Sequence, residues 1–290
     1  MTAPRGSTLR RRRLGHELRR LREEANRTHL DIAGILHCQQ SRVSKIEAGH
    51  LRIRPAEVKD VLRYLDVPED HWDGLVTLAK EANRRGFWSS HADVMSPRFM
   101  TYANLEAEAT RVLFYQAEVV PGLMQTEAYA NAVNTATRPR EDIDPERYTE
   151  VRLARQERVL KGDLDLWAVL NESAIRRVVG GEQVMREQLQ HLLELAHQPS
   201  ITLQVLPFSA GQHPAMSGPF VIARFADRRQ DPDVIYLENQ TGGLFMEDKP
   251  EIERYNVTFD RLIADALDVG RSAKLIGRVI DELSGETIPY

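Results

Sequence analysis

The chain has 290 residues, 42% of them apolar, one cysteine and a formal net charge of −4, but residues 1–64 alone carry fifteen Lys or Arg against seven Asp or Glu, leaving the remainder at −12. That length provides for two domains, three at most, and the basic end on an acidic body is the electrostatic footprint of a nucleic-acid-binding module confined to one of them. A single cysteine excludes an intrachain disulfide framework, and there is neither a membrane-spanning apolar run nor the apolar segment of a signal peptide, so the expected location is the cytoplasm, with no membrane partner.

Arg10 to Arg13 precede the first predicted helix. They read either as a flexible basic arm that reaches phosphates or a minor groove, or as a solvated charge run that contacts nothing. Leu14, Leu18, Leu21 and Ala25 fall at helical spacing and define one buried stripe. Thr28 is a natural N-cap for a second helix with Leu30, Ile32, Ala33 and Leu36 as its apolar content, the small Ala33 suiting a close helix crossing. After a turn through His37 and Cys38, Gln39 opens a third helix anchored only by Val43 and Ile46. Gln40, Ser41, Arg42, Ser44 and Lys45 point elsewhere, so this helix hides little and displays much. Gly49 closes it, and Val58, Val61, Leu62 and Leu65 form the stripe of a fourth helix. A fifth, from His71 to Arg84, carries Trp72, Leu75, Leu78 and Ala79. Residues 85–98 read as a linker between a first domain, 1–84, and a second, 99–290, although Phe87, Trp88, Met95 and the adjoining Phe99 are large apolar groups that prefer to dock on something.

The segment THLDIAGILHCQQSRVSKIEAG resembles the helix-turn-helix of the Cro and CI phage-repressor family. The resemblance implies double-stranded DNA as a partner, with the first helix of the motif crossing the backbone and the second lying in the major groove. By the same resemblance Thr28, His29, Gln39, Gln40, Ser41, Arg42, Ser44, Lys45 and Arg52 are the DNA-facing positions, with Gln40 suited to adenine and Arg42 to guanine. Two positions depart from the pattern: His29 stands where a phosphate-binding Gln is usual, and His37 where Gly is usual in the turn. Because one short helix reads few base pairs, a homodimer on a pseudo-palindromic operator is expected.

From about Phe99 helices alternate with short apolar strands, which indicates an α+β fold for the larger domain. Asn104 to Arg111 read as a helix and Val112 to Val120 as a strand ended by Pro121 and Gly122. Helices follow at Thr126 to Val133 and Arg147 to Lys161. Leu164 to Leu170 read as a strand, and Asn171 caps a helix from Glu172 to Val179. Gln183 to His197 form another helix. Ile201 to Leu206, Phe220 to Phe225, Val234 to Glu238 and Leu244 to Met246 are four further strands in hairpin-like order, and helices at Glu251 to Leu267 and Ser272 to Leu283 finish the chain. The expected arrangement is a mostly antiparallel sheet covered by helices on one face.

The ordered blocks VVPGLMQTEAYANAV, LNESAIRRVVGG, MREQLQHLLELA, ITLQVLPFSAGQHPAMSGPFVIARF and VIYLEN resemble the C-terminal domain of an actinobacterial, WhiJ-like class of helix-turn-helix regulators. That domain is of unassigned function, and members resemble antitoxins encoded beside a small partner protein. The resemblance therefore implies control of a neighbouring promoter, with a ligand or a nearby-encoded small protein acting on the second domain; an antitoxin-like role, with autoregulatory DNA binding, is the alternative.

No catalytic, metal or cofactor constellation is found in the sequence. The HELRR run at His16 is not HExxH; His191 and His197 fall on different helix faces; no Walker loop, GxSxG or CxxC occurs. The expectation is a non-enzyme. The loop from Ser209 to Phe220, with Gln212, His213 and Ser217, is read as a ligand loop or as an ordinary connection, and Gln125 and Thr126 as a binding pair or as strand termination and helix capping.

Overall fold

The structure, a computed structural model, describes residues 9–83, 88, 95–137, 145–227, 231–239 and 242–285. It divides into two compact units, Met1–Glu108 with Arg229–Asp231, and Ala109–Arg228 with Pro232–Tyr290.

The first unit is helical: α1 (Leu9–Glu24), α2 (His29–Ile35), α3 (Gln40–Glu47), α4 (Pro55–Tyr64), α5 (Trp72–Ala82) and α6 (Pro97–Glu108). The predicted stripes bury together, with Leu14 and Leu18 of α1, Ile32 and Ala33 of α2, Val43 and Ile46 of α3 and Val58, Val61 and Leu62 of α4 in one core. Leu30 does not join them; it is 68% exposed. It sits two positions before Ile32, about 200° around the helix, so both cannot face the same core. Helix α1 approaches α3 at Gly15, where an added Cβ would lie 2.4 Å from the Glu47 carbonyl oxygen. Arg10 to Arg13, read as a flexible arm or a solvated run, belong instead to the first turns of α1. Arg10 pairs with Glu81, and the buried Arg11 donates to the Ala82 carbonyl at 3.4 Å. Most of the linker stretch, Phe87 included, lies outside the described residues, but Trp88 is buried and its indole N–H donates to the Ala103 carbonyl of α6 at 3.1 Å. Helix α6 begins at Pro97, seven residues before the expected start.

The second unit contains β1 (Arg111–Gln116), α7 (Glu127–Thr137), α8 (Pro145–Leu160), β2 (Asp165–Asn171), α9 (Glu172–Arg176), α10 (Glu182–Leu195), β3 (Ile201–Leu206), β4 (Phe220–Arg224), β5 (Val234–Asn239), β6 (Gly242–Met246), α11 (Lys249–Asp265) and α12 (Val269–Leu283). Its six strands form one sheet in the order β3-β2-β1-β4-β5-β6. The fold is α+β and the sheet mostly antiparallel, as expected: β1 with β4, β4 with β5 and β5 with β6 are antiparallel, and the sheet is mixed because β1 pairs with β2 and β2 with β3 in parallel. Parallel neighbours need long crossovers, and α7 with α8, then α9 with α10, supply them. Strands β3 and β4, expected as hairpin neighbours, are separated by β2 and β1.

Helices on one face alone would leave alternate strand residues in water. Four successive residues of β1, Val112 to Tyr115, are buried. Both faces are therefore covered. One carries Leu113, Tyr115, Val169, Phe220 and Ile222 against Ile252, Phe259 and Leu262 of α11. The two crossovers run in the same direction across the sheet, so right-handed connections place their helices together on the other face, over Val112, Phe114, Ala168 and Leu170.

Candidate nucleic-acid interface

Helix α2 starts at a reciprocal cap. The Asp31 carboxylate accepts from the Thr28 amide at 2.7 Å and hydroxyl at 2.8 Å, while the Thr28 hydroxyl oxygen accepts from the Asp31 amide at 3.3 Å. These bonds hold the Asp31 carboxyl below its ordinary range. The α2–α3 turn passes through His37 at φ +47, in the left-handed region that normally favours glycine. The Cys38 amide then closes onto the Ala33 carbonyl at 2.9 Å.

Helix α3 is held from beneath by Val43, 2% exposed, and Ile46, 3% exposed, while Gln39, Gln40, Ser41, Ser44 and Lys45 are exposed. Arg42 is placed differently. One of its terminal nitrogens lies 3.0 Å and 3.1 Å from the two carboxylate oxygens of Glu57, at the start of α4. Burial alone would lower the proton affinity of Arg42, but bonds to Cys38 and Glu57 outweigh it and raise the value. The guanidinium assigned to guanine is thus tied to the α4 cap in the free protein. Arg52 is exposed on the loop after α3, and its charge, second to burial, helps to bring the Arg11 pKa down to about 10.

A buried cluster joins these helices. Arg22 of α1 donates from Nε to one Glu47 oxygen at 2.7 Å and from Nη2 to the other at 2.9 Å, and from Nη1 to the Arg27 carbonyl at 3.0 Å. The ring of His29 lies on the same carboxylate, Nε2 to Oε2, at 2.9 Å. His29, read as a phosphate position, therefore bridges the start of α2 to the end of α3. Sequence reading missed Arg22 in this role, and the signal was its place one turn beyond Leu14 and Leu18 on the same buried stripe. A cation in a core stripe calls for a buried anion.

In the second unit, the loop after β3 runs past the carboxyl end of β1. His213 approaches Tyr115, Nε2 to the phenol oxygen, at 3.3 Å, while Gln212 and Ser217 are exposed. Burial raises the Tyr115 pKa and lowers that of His213, favouring the neutral form of each. Gln125 is 2% exposed and donates to the Val120 carbonyl at 2.6 Å, and Thr126 caps α7 through the Tyr129 amide. Gln188 ties this turn to α10, donating to the Met124 carbonyl at 2.8 Å and accepting from the Thr126 amide at 2.7 Å.

A displayed polar helix on a capped helical bundle defines a helix-turn-helix protein, and residues 13–74 match the family described as a helix-turn-helix domain. Residues 99–278 match the family described as domain of unknown function DUF5753, and the chain belongs to that family. The two matches together define a helix-turn-helix regulator and reach no finer subclass. No curated protein and no solved structure matches the chain. Among the described residues no helix is long and apolar enough to cross a membrane.

Proposed function

We propose that the protein is a sequence-specific transcriptional regulator of the Cro/CI type that acts in the cytoplasm as a homodimer on a pseudo-palindromic operator, without enzymatic activity. The observation that carries this reading is α3, whose apolar anchors are buried while Gln39, Gln40, Ser41, Ser44 and Lys45 face outward. Eight helical residues extend about 12 Å, too short to read more than one half-site. Arg and Lys contacts to phosphates set affinity through counterion release, and the α3 side chains set sequence.

The second unit has a regulatory role in this reading, a ligand or a small protein encoded nearby acting on it to control a neighbouring promoter, as the WhiJ-like resemblance implies. The antitoxin-like alternative gains support from Phe208 and Met216, which are 59% and 72% exposed around one loop. Large apolar groups left in water suit a protein partner.

The test is fluorescence anisotropy of the full chain on its own upstream DNA and on a scrambled duplex of equal composition, over a range of salt. Tight, salt-dependent preference for the upstream duplex is the expected result. Equal affinity for both would overturn sequence-specific regulation, and a monomeric mass on the operator by light scattering would overturn the dimer.

A further inference from the structure

His29 binds Glu47 in a way that restricts what else it can do. A carboxylate oxygen only accepts hydrogen bonds, so the ring nitrogen 2.9 Å from Glu47 Oε2 carries a hydrogen. A neutral imidazole has one N–H. With that hydrogen committed to Glu47, Nδ1 presents a lone pair, which repels a phosphate oxygen. Moving the hydrogen to Nδ1 would instead turn the Nε2 lone pair onto the carboxylate. A neutral His29 can thus satisfy Glu47 or a phosphate, but not both.

We infer that His29 contacts a DNA phosphate in its protonated form, as an imidazolium bridging Glu47 and the phosphodiester, so that operator binding takes up a proton at this ring. The inference rests on the DNA-binding reading above. The side chain is 32% exposed, and it starts the helix that in a helix-turn-helix crosses the nucleic-acid backbone. The charged groups facing it are Glu47 from α3 and Arg22 from α1, with Asp31 on its own helix occupied by Thr28. Arg22 already balances Glu47. A proton on His29 is therefore an added charge in the free protein, and an arriving phosphate supplies its counter-charge.

The linkage has a definite sign. Affinity rises as pH falls, because the bound state holds the extra proton. The salt dependence changes with it, since one more ionic phosphate contact steepens the slope of log affinity against log salt by about 0.9. A glutamine at position 29 donates from its amide without any proton uptake.

The experiment is anisotropy of the full chain on its upstream duplex at pH 6 and pH 8, each over a salt series, for the wild type and for H29Q, with H16Q, H37Q and H50Q as controls for three other exposed histidines of the first unit. The wild type is expected to bind on the order of tenfold more tightly at the lower pH, with the steeper salt slope. H29Q should lose most of both differences, and the three controls should keep them. An H29Q pH dependence equal to that of the wild type would overturn the inference, as would an equal loss of affinity at both pH values, the mark of a neutral or merely structural residue. Because H29Q could disturb the fold, nitrogen NMR of the wild-type ring gives a second readout: both nitrogens protonated in the complex at pH 7 supports the bridge, and a single N–H overturns it. Failure of the wild type to prefer its upstream duplex at either pH would overturn the regulator reading itself.

Discussion

At the scale of single residues, Glu47 is the side chain on which the reading head depends. Its carboxylate is 6% exposed and takes Arg22 and His29 together. Replacing it by alanine would leave a guanidinium, itself 9% exposed, with only the exposed Glu23 carboxylate, at 3.4 Å, as an anionic neighbour. Removing one partner of a buried pair typically costs about 3–5 kcal/mol, so Glu47→Ala is expected to lower stability by that order in urea denaturation. A loss below about 1 kcal/mol would mean that water reaches the pair and screens it. Glu57 supplies a pH signature. Burial would raise its carboxyl pKa, but the Arg54 amide and the Arg54 and Arg42 guanidinium groups outweigh burial and hold it below the ordinary 4.5. A lowered carboxylate contributes stability that is complete above the unfolded value and is lost as pH falls through the native one. The urea midpoint of the first unit should therefore drop below about pH 4.5, and Glu57→Gln should flatten that drop.

At the scale of elements, α1 and α3 meet through a glycine. A Cβ at Gly15 would lie 2.4 Å and 2.5 Å from the Glu47 and Ile46 carbonyl oxygens. Those are backbone atoms and cannot swing aside, so Gly15→Ala is expected to cost about 1–3 kcal/mol by thermal or chemical unfolding, despite the better helix propensity of alanine. No loss would show that the helices part freely at this point. Position 15 gave no such signal in the sequence, because close approach depends on what arrives from elsewhere in the chain. The stripes of α1 to α5 were legible, since helical spacing of Leu, Val and Ile is a local property. All six strands were legible as well, although β1 stops at Gln116, four residues before its apolar run does. Their pairing was not. The helices between β1 and β2 and between β2 and β3 marked parallel crossovers, yet the Gly- and Pro-rich connections around Ser209 to Phe220 suggested hairpins. Loop composition says that the chain turns without saying which neighbour it reaches. Arg42 shows the same limit at the interface: its place on the polar face of α3 was legible, and its hold on Glu57 depends on α4 arriving alongside.

At the scale of the whole molecule, two compact units with separate cores should not unfold as one. Calorimetry is expected to resolve two transitions. Operator DNA at a hundredfold excess over its Kd should raise the transition of the helical unit alone, by about 2.7 kcal/mol, because that unit carries the displayed helix. A core truncation such as Phe259→Ala, which empties space between α11 and the sheet, should lower the other transition. A single transition that moves under both treatments would show that the units unfold cooperatively.

Among the described residues the first strand in chain order, β1, lies inside the sheet and not at its edge. One side of β1 waits for β2, and the other waits for β4, whose Arg224 carbonyl accepts from Thr110 across a separation of 114 residues. On a ribosome adding about 5–20 residues per second, that side stays open for on the order of ten seconds. During this interval every residue of the helical unit's core, Leu14 to Ala82, is already synthesised. The protein would thus possess a fully synthesised reading head while its sheet still has an exposed apolar seam, making nascent-chain protection a requirement of the second unit and not of the first.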